Sequence, residues 1–434
     1  MNPVVGLFVK GFHMGGMQSI LGGIAQALQT AGCRVVFLTS EGEEDDFYAP
    51  PAGCARVVVG HWRDEALRAV RRENIVRALR EHRVDVLIHH LFDTPTLKDD
   101  IHAARECGVK VVVHFHSAAT SLFARRAKSV GDVESLFAAY RSADALICLS
   151  RCDEVFFRAL GVRARYIPNP LPTPPDAFRR KGGVGRSLVW IGRFSKSAKR
   201  PQDALAVLVE VLRTMPDATL TMLGDGPDDG ELRRQVAADA ALPRAVRMPG
   251  KVLDVWSELA NADVLLLTSV YEGFPAVVAE AYAAGVPVVG YQLENLELCD
   301  AGEAYHAVRQ GDVAAAAQAA VTLLSDQDAW RRAHDAALEA YARFASFDLA
   351  AAYGGLLSDV LAARGAADAP RVEAPYGAIL RTFFAHACIG RRMYLDARER
   401  LVGRPNSIRG CLRFILRMAF ARLCGGRGRR GSHA

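Results

Sequence analysis

The stretch DVLLLTSVYEGFPAVVAEAYAAGVPVVG, residues 263–290, decides the fold. An apolar run, a short loop with Gly-Phe-Pro, a helical segment and a second apolar run follow one another. This order predicts strand, loop, helix and strand in a parallel α/β sheet. Loops at the carboxyl ends of such strands bind ligands, so Glu272 is expected at a ligand crevice. Glu280 lies roughly two helical turns later, offset by about 80° around the axis, so both carboxylates can reach one extended, hydroxyl-rich ligand.

Strand and helix patterns alternate along most of the chain. Its 434 residues exceed one core of typical size, so two domains are expected. The predicted strands of the first domain are Val4–Val9, Arg34–Thr39, Asp85–His89, Lys110–His116, Asp144–Ser150 and Ala164–Pro168. Those of the second are Ser187–Gly192, Ala218–Gly224, Val246–Met248, Asp263–Ser269 and Pro287–Gly290. A helix is predicted over Met17–Ala31, helices dominate from Asp312 to about Ala363, and the proline-rich Pro168–Pro175 indicates a linker.

Two cations lie in a loop of the second domain. Arg193 and Lys199 follow a predicted strand and precede a helical segment. A diphosphate needs cations, which Arg supplies as a planar fork and Lys as a point charge. The N-terminus of the following helix adds backbone N–H donors. We predict a diphosphate clamp here, with a solvated basic loop as the alternative.

Glycines mark turns where a backbone can approach a ligand closely. Gly15 and Gly16 follow the first strand, and Gly224 and Gly226 stand between another strand and a helix. A dinucleotide-binding G-x-G-x-x-G does not fit the second pair, because Gly230 comes one place too late. This spacing disfavours an NAD-dependent dehydrogenase. Plain strand-to-helix turns are the alternative for both pairs.

Histidines end two strands of the first domain. Strand alternation points His114 and His116 to the same side. His89 and His90 end another strand and are weaker candidates for contacting a second substrate. Two His could suggest a metal, but no third ligand is spaced near them, so we expect no metal site. Hydrogen-bonded structural histidines are the alternative.

The Arg-x5-Lys and E-x7-E spacings together closely resemble the retaining GT-B glycosyltransferases of family 4, glycosyl transferases group 1, over about residues 1–363. The Gly-x-Gly-Pro element at 224–227 matches the same family. Arg200 is a departure, because relatives often have Gly after the Lys. The resemblance implies an α/β fold of two Rossmann-like domains with a C-terminal crossover helix, Phe347–Ala363, and outside it a basic helical tail. The expected boundaries are 1–172 (acceptor domain), 173–345 (nucleotide-sugar donor domain), 346–364 (crossover helix) and 365–434 (tail).

The resemblance also implies roles for individual residues. Glu272 would hold the donor sugar's hydroxyls, Glu280 the ribose, and His116 the sugar or acceptor. Arg193 and Lys199 would stabilise charge on the leaving diphosphate. The expected catalytic set is Glu272, His116, Arg193 and Lys199. The expected nucleotide-sugar set is Gly15, Gly16, Arg193, Lys199, Gly224, Gly250, Val252, Gly273, Phe274, Pro275 and Glu280.

These roles imply a retaining, metal-independent transfer from a nucleotide-diphosphate sugar to a glycan or lipid-linked acceptor in cell-envelope polysaccharide or glycolipid synthesis. No cofactor is expected, and a UDP-sugar is preferred to a GDP-sugar as donor. The one Asp-x-Asp triplet, residues 326–328, precedes a helix and is explained by the helix dipole. A GT-B nucleotide-sugar epimerase and a non-catalytic GT-B scaffold subunit are the rival functions.

Charge is concentrated at the end of the chain. Residues 366–434 hold 14 Arg and 4 acidic residues, whereas the whole chain carries a net charge of +6. The segment Ser407–Cys424 has helical periodicity, with Arg409, Arg413 and Arg417 on one side. We predict that residues 405–434 bind an anionic membrane surface, with packing on the first domain as the main alternative and no nucleic-acid partner expected.

The remaining composition sets the expected location. The sequence has nine Cys without a C-x-x-C, no 18-residue apolar run and no signal-peptide pattern. These features predict a cytoplasmic protein with reduced thiols, peripheral on the inner face of the cytoplasmic membrane.

Overall fold

The computed structural model describes residues 2–363 except 14, 45, 62, 64–65, 127–128, 179–184 and 294–295. The predicted basic tail, residues 365–434, lies outside the described residues. The first sheet has seven parallel strands: β1 Val4–Val9, β2 Arg34–Thr39, β3 Ala55–Val58, β4 Val86–His89, β5 Lys110–Phe115, β6 Ala145–Cys148 and β7 Ala164–Tyr166. The second has six: β8 Ser187–Ile191, β9 Thr219–Leu223, β10 Val246–Gly250, β11 Val264–Leu267, β12 Val288–Tyr291 and β13 Tyr305–Val308.

Helices cover both sheets. In the first part of the chain they are α1 Gly16–Ser19, α2 Leu21–Thr30, α3 Arg68–Glu81, α4 Leu97–Glu106, α5 Ala119–Arg126, α6 Val130–Ser142 and α7 Arg151–Ala159. In the second they are α8 Pro201–Leu212, α9 Asp229–Ala238, α10 Leu242–Ala245, α11 Val255–Leu259, α12 Ala276–Ala283, α13 Val313–Ser325, α14 Gln327–Ala345 and α15 Leu349–Ala362. The central strands β1, β4 and β11 are buried along their whole length, as expected of parallel strands covered on both faces. The two-domain α/β prediction is confirmed.

Both sheets reverse their strand order once. The first runs β3-β2-β1-β4-β5-β6-β7 and the second β10-β9-β8-β11-β12-β13, so the reversals fall between β1 and β4 and between β8 and β11. Crevices for ligands open at the carboxyl ends of strands at such reversals. The segments that follow these four strands contain the predicted site residues Gly15, Gly16, Arg193, Lys199 and Glu272, together with His90.

The last helix returns to the first domain. Helix α15 packs against α2, and its Tyr353, Leu356 and Val360 are buried in the same core as Ile24 and Leu28. Burying each such side chain stabilises the fold by about 1.5–3 kcal/mol, so this contact holds the two ends of the structure together. Such packing is what a crossover helix requires, while the domain boundaries proposed above stay predictions.

The structure contains two strands that were not predicted, and it has two helices where one was predicted. The edge strands β3 and β13 were not predicted, because each is four residues long and only partly buried, so neither shows an apolar run. The helix predicted over Met17–Ala31 is two helices, α1 and α2, that meet at Ile20. Pro168–Pro175 contains no helix or strand, in agreement with its proline content. Within the described part of the chain, no helix combines the length and hydropathy needed to cross a membrane.

Candidate active site

The loop after β8 is held against the end of β11 by a threonine. The Thr268 hydroxyl lies 2.8 Å from the carbonyl oxygen of Lys199 and 3.0 Å from that of Arg200. The same hydroxyl accepts a hydrogen bond from the indole of Trp190 at 2.9 Å. Because two neighbouring strands supply these groups, the backbone that carries Lys199 is fixed over the carboxyl end of the sheet.

This placement brings Lys199 to Glu272. The Lys199 ammonium contacts Oε1 of Glu272 at 2.5 Å, and the Ser269 hydroxyl donates to the same oxygen at 2.6 Å. Glu272 is buried, so these contacts compensate a carboxylate that has lost most of its water. Arg193, six residues before Lys199, is exposed and forms no ion pair with the residues that the structure describes. A paired cation and a free cation therefore stand at the strand ends of the second domain.

The second glutamate of the motif lies in a different environment. Glu280, on α12, is partly buried, and this burial raises the pKa of its carboxyl group to about 7. The pKa of Tyr48 in the first domain is also raised, first by burial and then by the charge of Glu280. The charge of Glu280 therefore acts across the domains on the phenol of Tyr48.

A glycine brings the domains into contact at the site. A Cβ atom on Gly273 would lie 2.6 Å from the carbonyl oxygen of His116, a distance that real Cβ atoms do not reach. A cleft adjoins this contact. It is lined by Ala118, Ser121, Val270, Tyr271, Glu272, Gln292, Leu293 and Gln310. Residues of both domains thus line one cleft beside Glu272.

A second contact between the domains involves a helix N-terminus. Oε1 of Glu297 accepts a hydrogen bond from the backbone N–H of Arg151 at 2.7 Å. Arg151 is the first residue of α7, where N–H groups lack partners within the helix. The negative charge of Glu297 also contributes, after burial, to the raised pKa of Asp153, about 6. This contact joins the two domains at the start of α7.

Three histidines meet at the strand ends of the first domain. Nδ1 of His90 lies 2.8 Å from Nε2 of His116, and the rings of His114 and His116 stack with centroids 4.0 Å apart. Burial lowers the pKa of His116 to about 3 and holds the pKa values of His90 and His114 well below their usual range, so all three imidazoles are neutral at neutral pH. The same-side prediction for His114 and His116 is confirmed by this stacking.

Comparison with known proteins places this geometry in a family. Residues 15–170 match the family described as a glycosyl transferase 4-like domain, and residues 185–326 match glycosyl transferases group 1. The chain belongs to the group 1 glycosyltransferases. Together the two matches span the strands from β2 to β13 and the residues that line the cleft.

The individual relatives of this glycosyltransferase are similar to only part of its sequence. The chain is 31% identical over 189 residues to N-acetyl-alpha-D-glucosaminyl L-malate synthase of Bacillus anthracis, covering 42% of this chain and 49% of the relative. It is 27% identical over 235 residues to UDP-Gal:alpha-D-GlcNAc-diphosphoundecaprenol alpha-1,3-galactosyltransferase of Escherichia coli, covering 50% and 60%. The chain thus spans less than two thirds of either curated relative. The solved structure of Anabaena HepE in complex with UDP is similar in fold, with a TM-score of 0.63, 19% identity, and coverage of 82% of this chain and 99% of HepE.

Close backbone packing explains several of the predicted site glycines of this glycosyltransferase. A Cβ on Gly224 would lie 1.9 Å from the carbonyl oxygen of Gly192, and one on Gly226 would lie 2.4 Å from that of Phe194. Because neither glycine has a side chain, the loop after β8 that carries Arg193 and Lys199 packs closely against the turn after β9. The N–H of Gly224 donates to the carbonyl of Gly250, which supports the same turn.

The remaining predicted nucleotide-sugar residues border the site in different ways. A side chain added at Gly16 would meet open space, whereas one at Gly15 would meet the Gln18 side chain. Val252 and Phe274 are partly buried against the core of the second domain. Pro275 is buried at the N-cap position of α12. Contacts with a ligand remain predictions for all five.

Arg200, which stands where relatives often have Gly, adopts the left-handed conformation with φ of 47°. This conformation costs a residue with a side chain about 1–2 kcal/mol. The Arg200 guanidinium lies 2.9 Å from the carboxylate of Asp203 and over the ring of Tyr291. These contacts offset the strain and keep the residue after Lys199 in place.

Sequence reasoning missed several partners. The expectation that no third ligand lies near His114 and His116 is wrong, because β4 and β5 are neighbours and bring His90 to the same edge. Ser269 and Tyr48 were also missed: Ser269 ends a predicted strand, and Tyr48 lies in a loop without a motif. His89 is fully buried and its ring contacts Asp100 at 3.0 Å, which makes it a core residue. The interpretation of residues 326–328 is confirmed, because Asp326 caps α14.

Proposed function

We propose that this protein is a retaining glycosyltransferase that moves a sugar from a nucleotide-diphosphate sugar to a glycan or lipid-linked acceptor. The observation that carries the proposal is the grouping of Lys199, Glu272 and the exposed Arg193 at the strand ends of the second domain, facing His116 of the first. The free cation and the paired cation suit a diphosphate, while Glu272 suits sugar hydroxyls. No second function is favoured by a specific feature of this grouping.

The chemistry follows from where charge develops. As the bond between the sugar and the diphosphate breaks, negative charge grows on the leaving group and the sugar passes through an oxocarbenium-like state. Arg193 and Lys199 stabilise the diphosphate, and Lys199 exchanges part of its contact with Glu272 for a phosphate oxygen. Glu272 then orients the sugar hydroxyls, while Glu280 accepts hydrogen bonds from the ribose. The reaction needs no metal on the diphosphate in this scheme, because the two side chains carry the positive charge.

The donor and acceptor classes are proposed by similarity. Anabaena HepE is described in complex with UDP, and the Escherichia coli relative is named for a UDP-sugar donor and a diphosphoundecaprenol-linked acceptor. We therefore favour a UDP-sugar over a GDP-sugar and a role in cell-envelope polysaccharide or glycolipid synthesis. A lipid-linked acceptor agrees with a location on the inner face of the cytoplasmic membrane, with attachment through the tail at 405–434. That tail lies outside the described residues.

The test is a panel of nucleotide sugars added to the purified full-length protein. Thermal stabilisation identifies the donor, since a ligand at 100 times its Kd stabilises the folded state by about 2.7 kcal/mol. Transfer is then measured as release of UDP together with labelled sugar in a glycan or lipid acceptor. An epimerase would interconvert the sugar without needing an acceptor. A scaffold subunit would show no turnover with any pair.

Arg213→Ala provides a matched control for Arg193→Ala. Arg213 is an exposed Arg at the far end of α8, paired with Glu210. Loss of nucleotide binding in the Arg193 variant alone would support the clamp. Equal loss in both variants would contradict it.

A further inference from the structure

The His90, His114 and His116 side chains form a compact group, called here the imidazole cluster. One ligating nitrogen from each ring lies within 4.8 Å of the other two. His90 and His114 are fully buried, and His116 is partly exposed. All three come from the adjoining ends of β4 and β5, so two rigid strands hold the group in place.

Several ring nitrogens of the imidazole cluster have no hydrogen-bond partner among the described residues. Neither ring nitrogen of His114 has a hydrogen-bond partner among the described residues, nor does Nε2 of His90. Buried polar atoms in proteins are nearly always paired, so orphaned nitrogens call for an unseen partner such as an ion. The pair of nitrogens 2.8 Å apart on His90 and His116 can share one proton as a hydrogen bond, or both can direct lone pairs at one cation.

The geometry suits a small divalent ion. With Zn–N bonds of about 2.0–2.1 Å, two ligands of a tetrahedral ion lie roughly 3.3 Å apart. The widest separation in the cluster therefore has to shrink by roughly 1.5 Å, which small rotations about the soft χ2 torsions of His allow. Three imidazoles without a carboxylate favour zinc or its late first-row neighbours over magnesium or calcium. Such a set leaves a fourth position for water or an anion.

We propose that the imidazole cluster is a zinc-binding site of this protein. It is separate from the predicted diphosphate clamp of Arg193 and Lys199, because all three of its ligands belong to the first domain. A zinc ion there engages the ring of His116. Resting on the function proposed above, in which His116 contacts the sugar or acceptor, zinc occupancy therefore inhibits transfer instead of supporting it.

Binding is tested first, without any nucleotide sugar. Full-length protein lacking an affinity tag is titrated with Co²⁺ and with Zn²⁺, and the affinity is compared with that of His90→Gln, His114→Gln and the control His102→Gln. His102 is an exposed His on α4 whose ring pairs with Glu106 at the surface. We expect at least about a tenfold loss of affinity in the two cluster variants and none in the control, since even outer-shell changes cost about 10–100-fold. Unchanged affinity in the cluster variants would overturn the proposal.

A second measurement does not depend on the folding of the variants. X-ray absorption of the zinc-loaded wild-type protein should show nitrogen or oxygen neighbours at about 2.0–2.1 Å. A shell of sulfur at about 2.3 Å would assign the ion to cysteines and overturn the proposal.

The inhibitory consequence has its own assay. Added Zn²⁺ should lower transfer by the wild-type protein, EDTA should restore it, and the binding of free UDP should not change. Zinc bound at the cluster with transfer unaltered would overturn the inhibition. Absence of transfer with every donor would count against the proposed function, whereas the binding experiment decides the zinc site on its own.

Discussion

Glu280→Gln should stabilise the folded protein while it weakens nucleotide binding. The side chain of Glu280 is partly buried on α12, and its charge acts on the phenol of Tyr48. Burial raises its pKa from 4.5 to about 7, so at alkaline pH the fold holds a carboxylate in an unfavourable place. The neutral amide of Gln removes that charge and keeps the shape of the side chain.

The size of the effect follows from the pKa difference. One pKa unit is worth about 1.4 kcal/mol, so the rise from 4.5 to about 7 corresponds to at most about 3.5 kcal/mol. The folded pKa lies above the unfolded pKa. The contribution of Glu280 to stability is therefore fully present below about pH 4.5 and lost as the pH rises through about 7. The variant should match the wild type near the lower end of this window and exceed it above the upper end.

Urea unfolding of both proteins at about pH 5 and about pH 8 measures this difference. UDP affinity of the same samples should fall about ten- to a hundredfold, because a charge-assisted hydrogen bond worth about 1.5–3 kcal/mol is lost. Glu272→Gln is the matched control. It breaks the ion pair with Lys199 in a buried setting and should destabilise the fold by about 1.5–3 kcal/mol at about pH 8. A Glu280 variant that is no more stable than wild type at about pH 8, or equally shifted at both pH values, would refute the reasoning.

Three further predictions concern the clamp, the first domain and the tail. Arg193→Ala and Lys199→Ala should each weaken UDP binding about tenfold or more while uridine binding changes little, as measured by calorimetry; equal losses for both ligands would make these residues structural. His116→Ala should reduce transfer at saturating donor more than it reduces UDP affinity, because His116 belongs to the opposite domain; the reverse pattern in steady-state kinetics would contradict its placement. Removal of residues 405–434 should abolish flotation with anionic liposomes at low salt, since each basic residue near such a surface contributes about 1 kcal/mol; unchanged flotation would rule out the membrane role.

The central strands could be predicted from sequence because parallel strands leave long apolar runs. β1 and β2 have the predicted bounds, and the remaining central strands differ by one or two residues at their ends. The edge strands β3 and β13 left no such signal, since each is only four residues long and only partly buried. The break between α1 and α2 at Ile20 could not be predicted from the apolar periodicity, because the two helices together keep the helical spacing of apolar residues.

Within the site, local motifs were predictable and distant partners were not. The spacing of Arg193, Lys199 and Glu272 predicted a shared strand edge, and the structure brings the Lys and the Glu into contact. The effect of Glu280 on Tyr48 and the contact of His90 with His116 depend on how separate segments pack, which no spacing along the chain encodes. The left-handed conformation of Arg200, where relatives often have Gly, could not be predicted from the sequence, because only the folded structure shows its positive φ.

The two glutamates of the E-x7-E motif are thus opposite in their energetics, although the sequence presents them as a pair. Glu272 is buried with a cation and a hydroxyl already in place, so its charge is compensated before any ligand arrives. Glu280 is buried without such a partner among the described residues, and its raised pKa records the cost. A ribose that donates hydrogen bonds to Glu280 supplies the missing compensation and favours the ionised form. Binding of the nucleotide should therefore release a proton near neutral pH, so that the charge that destabilises the free protein contributes to holding the donor.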